Sequence, residues 1–352
     1  MCDMDHRNSR SFIRYYLMNA RSPIPSGRRE YNELLTARNR SQVENIGLPI
    51  LCSCLLITYF LFLVTAVSAE DIKSRAAVVI DAETGKVLYA KNSDYFLLPA
   101  STTKLMTALV VLEHSQLSDV VTVSRKAANA VPSKAGFKEG DKVSIATLLY
   151  AALMKSANDA AVALAEAVSG SEEQFVKLMN EKALAIGAYH TKFINANGLP
   201  GKGQFITAYD LSRIMKQAIQ YPILKEILTT RVREITTEAG KTIFLKNTNM
   251  LLWSDKDIVG GKTGYTRQAR HCFVCAGERD NETLIVALLG APSRDLLWKE
   301  SENLMAFGSK VMNHEEAPVV YLTKSYYDAQ KVTHASYTRK LRTKKIKEER
   351  QD

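Results

Sequence analysis

The order in which hydrophobic periodicity changes between Ala76 and Val311 limits the fold more than any other feature. Ala76–Asp81 (AAVVID) and Lys86–Lys91 (KVLYAK) alternate as two strands joined through Ala82-Glu-Thr-Gly85. Pro99 stops the chain, and a helical pattern runs from Ser101 to Glu113. Further helical patterns cover Ile145–Met154, Asp159–Val168, Glu172–Ile186 (closed by Gly187) and Ala208–Ile219. Strand-like runs return at Arg231–Thr237, Lys241–Lys246, Ile258–Gly264, Arg270–Gly277 and Thr283–Leu289, before a last helix over Leu296–Val311. Helices gathered into one block between strands do not suit alternating βαβ winding. They predict an α+β fold: a mostly antiparallel sheet packed with helices, plus a helical subdomain. With 352 residues, 46% of them hydrophobic, the chain is long enough for a sizeable core.

The two ends read differently. Residues 48–69 contain no charge; Arg38 and Arg40 precede them, Val67-Ser68-Ala69 closes them and Glu70-Asp71 follows. That is the layout of a secretory signal peptide cut after Ala69. The run is long, so an uncleaved membrane anchor is the competing reading. Residues 1–47 are Arg-rich, Lys-free and without helical period; an overextended gene start, with the true start near Leu34 or Leu35, explains them better than a domain. Of the net charge of +10, residues 1–69 carry +3 and residues 317–352 carry +5, which leaves about +2 for the middle. A nucleic-acid-binding face on the central part is therefore not indicated. Lys331–Arg350 has few large apolar residues. It reads as a solvated basic tail, with loose peripheral attraction to anionic wall or lipid as the sharper alternative.

Of five cysteines, only Cys272 and Cys275 follow the apolar run. Their spacing invites a zinc or redox reading. Strand alternation puts them on opposite faces, so two packed, unpaired thiols are expected. No metal and no cofactor is implied.

Three constellations carry chemistry. Ser101-Thr-Thr-Lys104 places a serine and a lysine one turn apart on a helix face. A serine hydroxyl needs a base to become a nucleophile, and a lysine whose pKa is lowered by burial can supply one. Ser156-Ala-Asn158 lies between two helices, where capping is the ordinary role and proton relay and substrate holding are the chemical ones. Lys262-Thr263-Gly264 ends an apolar strand before Tyr265. There the lysine offers a cation to a carboxylate, and the glycine lets a substrate lie flat against the strand edge. Each motif alone is weak. The order S-x-x-K, S-x-N, K-T-G, at intervals of about 50 and 100 residues, is specific.

In these motifs the chain resembles the low-molecular-weight penicillin-binding proteins, the serine D-alanyl-D-alanine carboxypeptidases. The resemblance runs from about Ile72 to Asn313. Beyond the three motifs it includes Met106-Thr-Ala-Leu109, Gly140-Asp141, Leu148-Leu-Tyr150, Asn195–Leu199, Asn247-Thr-Asn249 and Gly261–Thr266. It implies a catalytic domain over residues 72–316, with Ser101 acylated, Lys104 as base and Ser156 assisting proton transfer. It also implies Asn158, Lys262, Thr263 and Gly264 at the substrate, and the N–H groups of Ser101 and Tyr265 as oxyanion hole. The implied substrates are peptidoglycan stem peptides, with β-lactams as acylating inhibitors, on the extracytoplasmic side of the membrane. The chain departs from the family at Ala269-Arg270, where Ala-Gly is usual. The β-sandwich domain that often follows in the family is not expected in the residues after 316. A DD-endopeptidase uses the same machinery, a β-lactamase needs a further glutamate for which Glu166 is the nearby candidate, and a non-catalytic wall binder needs a broken motif.

Overall fold

A computed structural model describes residues 72–321; residues 1–71, with the expected signal or anchor, and the tail beyond Tyr321 lie outside the described residues. The chain enters through β1 (Ala76–Asp81) and β2 (Val87–Lys91), an antiparallel pair. A 3-10 turn, Ala100–Thr103, leads into α1 (Lys104–His114). Then come β3 (Val120–Thr122), α2 (Arg125–Ala128), β4 (Lys142–Ser144), α3 (Ile145–Met154), α4 (Asn158–Ser169), α5 (Glu172–Ala185), α6 (Ala208–Ala218) and α7 (Pro222–Thr229). A hairpin of β5 (Val232–Thr236) and β6 (Thr242–Lys246) and the short α8 (Leu251–Ser254) precede β7 (Ile258–Thr266), β8 (Arg270–Arg279) and β9 (Glu282–Ala291). The described part ends with α9 (Arg294–Met312) and β10 (Val319–Tyr321).

The main sheet has the order β10-β2-β1-β9-β8-β7, antiparallel throughout except where β10 joins β2. The α+β expectation therefore holds. Two of the strand-like runs, β5 and β6, pair only with each other. Their composition explains it. Central strands of this sheet are covered on both faces, as β9 is, whereas β5 buries only Ile235 and leaves Val232 to solvent.

The sheet divides two cores. Ala76, Val78 and Ile80 of β1 face the helical block, and Ala77 and Val79 face α9. β8 alternates likewise: Cys272, Val274 and Ala276 toward the helices, Phe273 and Cys275 toward α9. The two cysteines are thus free, buried and on opposite faces. Burial pushes both thiols up to about 12, far from the thiolate that metal or disulfide chemistry uses.

The turn from β7 to β8 shows what the departure at Arg270 costs. This residue has φ +61°, the left-handed region where a glycine carries no Cβ penalty. Arg270→Gly is expected to raise stability by about 0.5–1 kcal/mol, read as a higher Tm at unchanged acylation rate. An unchanged or lower Tm would show that the arginine side chain outweighs its backbone strain.

Candidate active site

Ser101 lies three residues before the α-helix in which the helical period places it. It belongs to the 3-10 turn, and the α-helix starts at Lys104. In a 3-10 turn residues i and i+3 eclipse, so the S-x-x-K spacing sets the lysine directly over the serine. Lys104 Nζ lies 3.0 Å from Ser101 Oγ. The turn is held by the Thr102 hydroxyl, which donates to the Pro99 carbonyl at 2.7 Å.

Burial and a neighbouring cation disfavour the charged form of Lys104. The side chain is fully buried, and burial followed by the nearby Lys262 charge lowers its pKa well below the ordinary lysine value; Asp159 opposes this. Its other two contacts are Asn158 Oδ1 at 2.7 Å and the Asn197 carbonyl at 2.8 Å. Both are pure acceptors. A neutral amine has two N–H bonds to give them, and its lone pair then points at the hydroxyl of Ser101.

Ser156 and Asn158 come from the link between α3 and α4. Ser156 takes φ +62°, and the cap of α4 is Ala157, so capping is not what Ser156 does. Its Oγ accepts from Lys262 Nζ at 3.0 Å. Asn158 donates from Nδ2 to the Val131 carbonyl at 2.9 Å and from its backbone to Ser133 O at 2.8 Å. The buried Asp159 carboxylate accepts from the amides of Ala135, Gly136 and Phe137. This segment therefore fixes both Lys104 and the 131–137 loop opposite the sheet.

The edge strand β7 brings the third motif. Lys262 and Gly264 face the helical block together, paired with Val274 and Cys272 of β8. Lys262 is fully buried, bonded to Ser156 and to the Thr263 carbonyl at 2.9 Å, and burial alone lowers its pKa to about 7. It lies behind the cleft wall rather than in the open cleft, whereas Thr263 lines it and donates to Thr248 Oγ1 at 2.6 Å. Gly264 is needed for close approach: a Cβ there would come within 2.9 Å of the Ser101 nitrogen. Ser101 and Tyr265 border the same cleft, of about 350 Å³.

Several site residues escaped the motif reading. Asn197 and Gly198 belong to a segment noted only for its resemblance, yet one bonds Lys104 and the other packs on the nucleophile turn. Arg294, Leu297 and Trp298 of α9 line the cleft with His271. Arg294 lies 6.0 Å from the Trp298 ring centroid, and burial followed by the Arg294 charge lowers the His271 pKa. Only Pro292-Ser293 before α9 marks this helix start in the sequence, and nothing local says it reaches Ser101. Glu166 bonds Ser124 at 2.6 Å and lines a separate cavity.

Comparison with known proteins places the geometry. The family model described as D-alanyl-D-alanine carboxypeptidase matches residues 63–293, about two thirds of the chain. The D-alanyl-D-alanine carboxypeptidase DacF of Bacillus subtilis is 37% identical over 62% of this chain and 58% of its own length. The chain thus spans less than two thirds of that relative. A D-alanyl-D-alanine endopeptidase of Pseudomonas aeruginosa is 36% identical over 62% of this chain and 76% of its own. The crystal structure of a Streptomyces DD-transpeptidase superposes with a TM-score of 0.65 at 30% identity, covering 67% of this chain and 97% of that one. A family match over most of the described residues, on a fold shared with a solved member, makes this chain a member of the D-alanyl-D-alanine carboxypeptidase family.

Proposed function

We propose that this chain is an exported serine D-alanyl-D-alanine carboxypeptidase that removes the terminal D-alanine of peptidoglycan stem peptides. The carrying observation is the buried Lys104 amine, 3.0 Å from Ser101 Oγ, whose two N–H bonds, when it is neutral, meet two fixed acceptors and leave its lone pair for the serine hydroxyl.

Neutral Lys104 takes the Ser101 proton as Oγ attacks the carbonyl between the two D-alanines. The oxyanion is met by the N–H groups of Ser101 and Tyr265. The leaving amine receives a proton through Ser156, which Lys262 touches, and D-alanine departs. Water then attacks the ester with Lys104 as base, releasing the shortened peptide and restoring Ser101. A β-lactam acylates the same oxygen, but its leaving group stays tethered and obstructs the water. The terminal carboxylate meets Thr263 and Arg294 in the open cleft, with Lys262 supporting through Ser156. Export fits the uncharged run ending at Ala69 and the extracellular substrate. Among the described residues no helix is long and apolar enough to cross a membrane.

A site for the terminal carboxylate next to a single nucleophile makes the leaving group one amino acid. Amidating the C-terminus of a D-Ala-D-Ala peptide should therefore lower kcat/KM by about 10- to 100-fold, as loss of a charge-assisted contact does. Arg294→Leu should remove most of that difference. Equal cleavage of free and amidated peptides, or cleavage of cross-linked dimers alone, would favour the endopeptidase reading to which the Pseudomonas relative's name points.

A further inference from the structure

Among the described residues no aspartate or glutamate lines the cleft around Ser101, whereas Lys155 and Arg294 both line it. Arg294 comes from the first turn of α9, on the sheet side. Lys155 comes from the opposite wall, where α3 ends directly before Ser156. Lys155 is half-buried, and its carbonyl accepts from Ser133 Oγ at 3.3 Å, which joins its backbone to the loop that lines the same wall. Its ammonium has no hydrogen-bond or ion-pair partner among the described residues. A concave site lined by one sign of charge, with low-dielectric walls, concentrates the opposite sign.

The proposed reaction uses only one of these cations. A terminal D-alanine brings one carboxylate, which Thr263 and Arg294 meet on the sheet wall. The penultimate D-alanine has a methyl side chain and brings none. The residue before it is the first whose side chain can present an anion to the helical wall. We propose that Lys155 selects stem peptides that carry a second carboxylate, on the side chain of the residue preceding D-alanyl-D-alanine. This rests on the carboxypeptidase reading above. The acyl part of the peptide stays bound as the ester on Ser101, so the contact persists through both chemical steps and acts chiefly on KM.

Two synthetic peptides test it: N-acetyl-2-aminopimelyl-D-alanyl-D-alanine with the distal carboxyl free, and the same peptide with that carboxyl as carboxamide. The free acid should be cut with a kcat/KM about tenfold higher. Lys155→Met should bring the two peptides to about equal kcat/KM, Lys155→Glu should favour the carboxamide, and Lys155→Arg should keep the preference for the acid. In all three variants the penalty for amidating the C-terminus should persist, since that contact lies on the other wall. Equal cleavage by the unaltered enzyme, or a preference that survives Lys155→Met, would overturn the proposal while leaving the carboxypeptidase reading intact. Release of D-alanine from neither peptide would overturn that reading and the proposal with it.

Discussion

Lys104→Ala is expected to slow acylation of Ser101 by about three orders of magnitude, the scale of losing a positioned general base. The cause is local. Only Lys104 Nζ lies within hydrogen-bond reach of Ser101 Oγ among the described side chains, and burial with the Lys262 charge lowers its pKa, which favours the form that can accept a proton. Lys104→Arg separates basicity from charge: a guanidinium keeps the cation but stays protonated, so this variant should be similarly slow. The sign of the pH dependence follows. Lys104 must be deprotonated to act, so acylation should rise with pH through its lowered pKa. Stopped-flow acylation with a chromogenic β-lactam measures each rate. A Lys104→Arg enzyme as fast as the parent would assign the base role elsewhere.

Gly198→Ala is expected to cost about 3 kcal/mol of stability and to slow acylation about 100-fold. Gly198 has φ +85°, which disfavours any side chain. Its added Cβ would lie 1.8 Å from the Ala100 carbonyl oxygen and 2.8 Å from Thr103 Oγ1. Relief requires the nucleophile turn to retreat, and Ser101 moves with it. The neighbouring Asn197 carbonyl, one of the two fixed acceptors of Lys104, shifts as well. Thermal unfolding and the acylation rate should fall together. A variant with parental Tm and rate would show that the segment packs less closely than the contact distances state.

How much of this was legible beforehand depends on the range of the signal. The strand pair at Ala76–Lys91, the helical block and the final β7–β8–β9 meander announce themselves through local period. Ser101, Lys104, Ser156, Asn158 and Lys262 stand in motifs whose spacing carries their geometry, and the structure brings them together. Where spacing alone was used, details slipped. A helix pattern does not distinguish the 3-10 turn that eclipses Ser101 and Lys104 from the α-helix beginning after it. Alternation set Lys262 and Gly264 on one side, but only the packing of helices against β7 shows that side to be buried for the lysine. The roles of Asn197, Gly198 and Arg294 arise from contacts across about 90 to 190 residues of chain, and that of Thr248 from a contact 15 residues on, for none of which a local period exists. Asp159 shows the same limit. Its type reads as an acid in the first turn of a helix, whereas three amides of a loop more than twenty residues away decide what it does.

The most direct measurement is the site of the covalent adduct. Protein acylated with a penicillin, digested and analysed by mass spectrometry, should carry the label on the peptide containing Ser101, as an ester lost on mild alkaline hydrolysis. Ser101→Ala should carry none while unfolding at a temperature close to that of the parent. An adduct on Ser156 or any other serine, or undiminished labelling of Ser101→Ala, would contradict the assignment of Ser101 as nucleophile and the mechanism built on it.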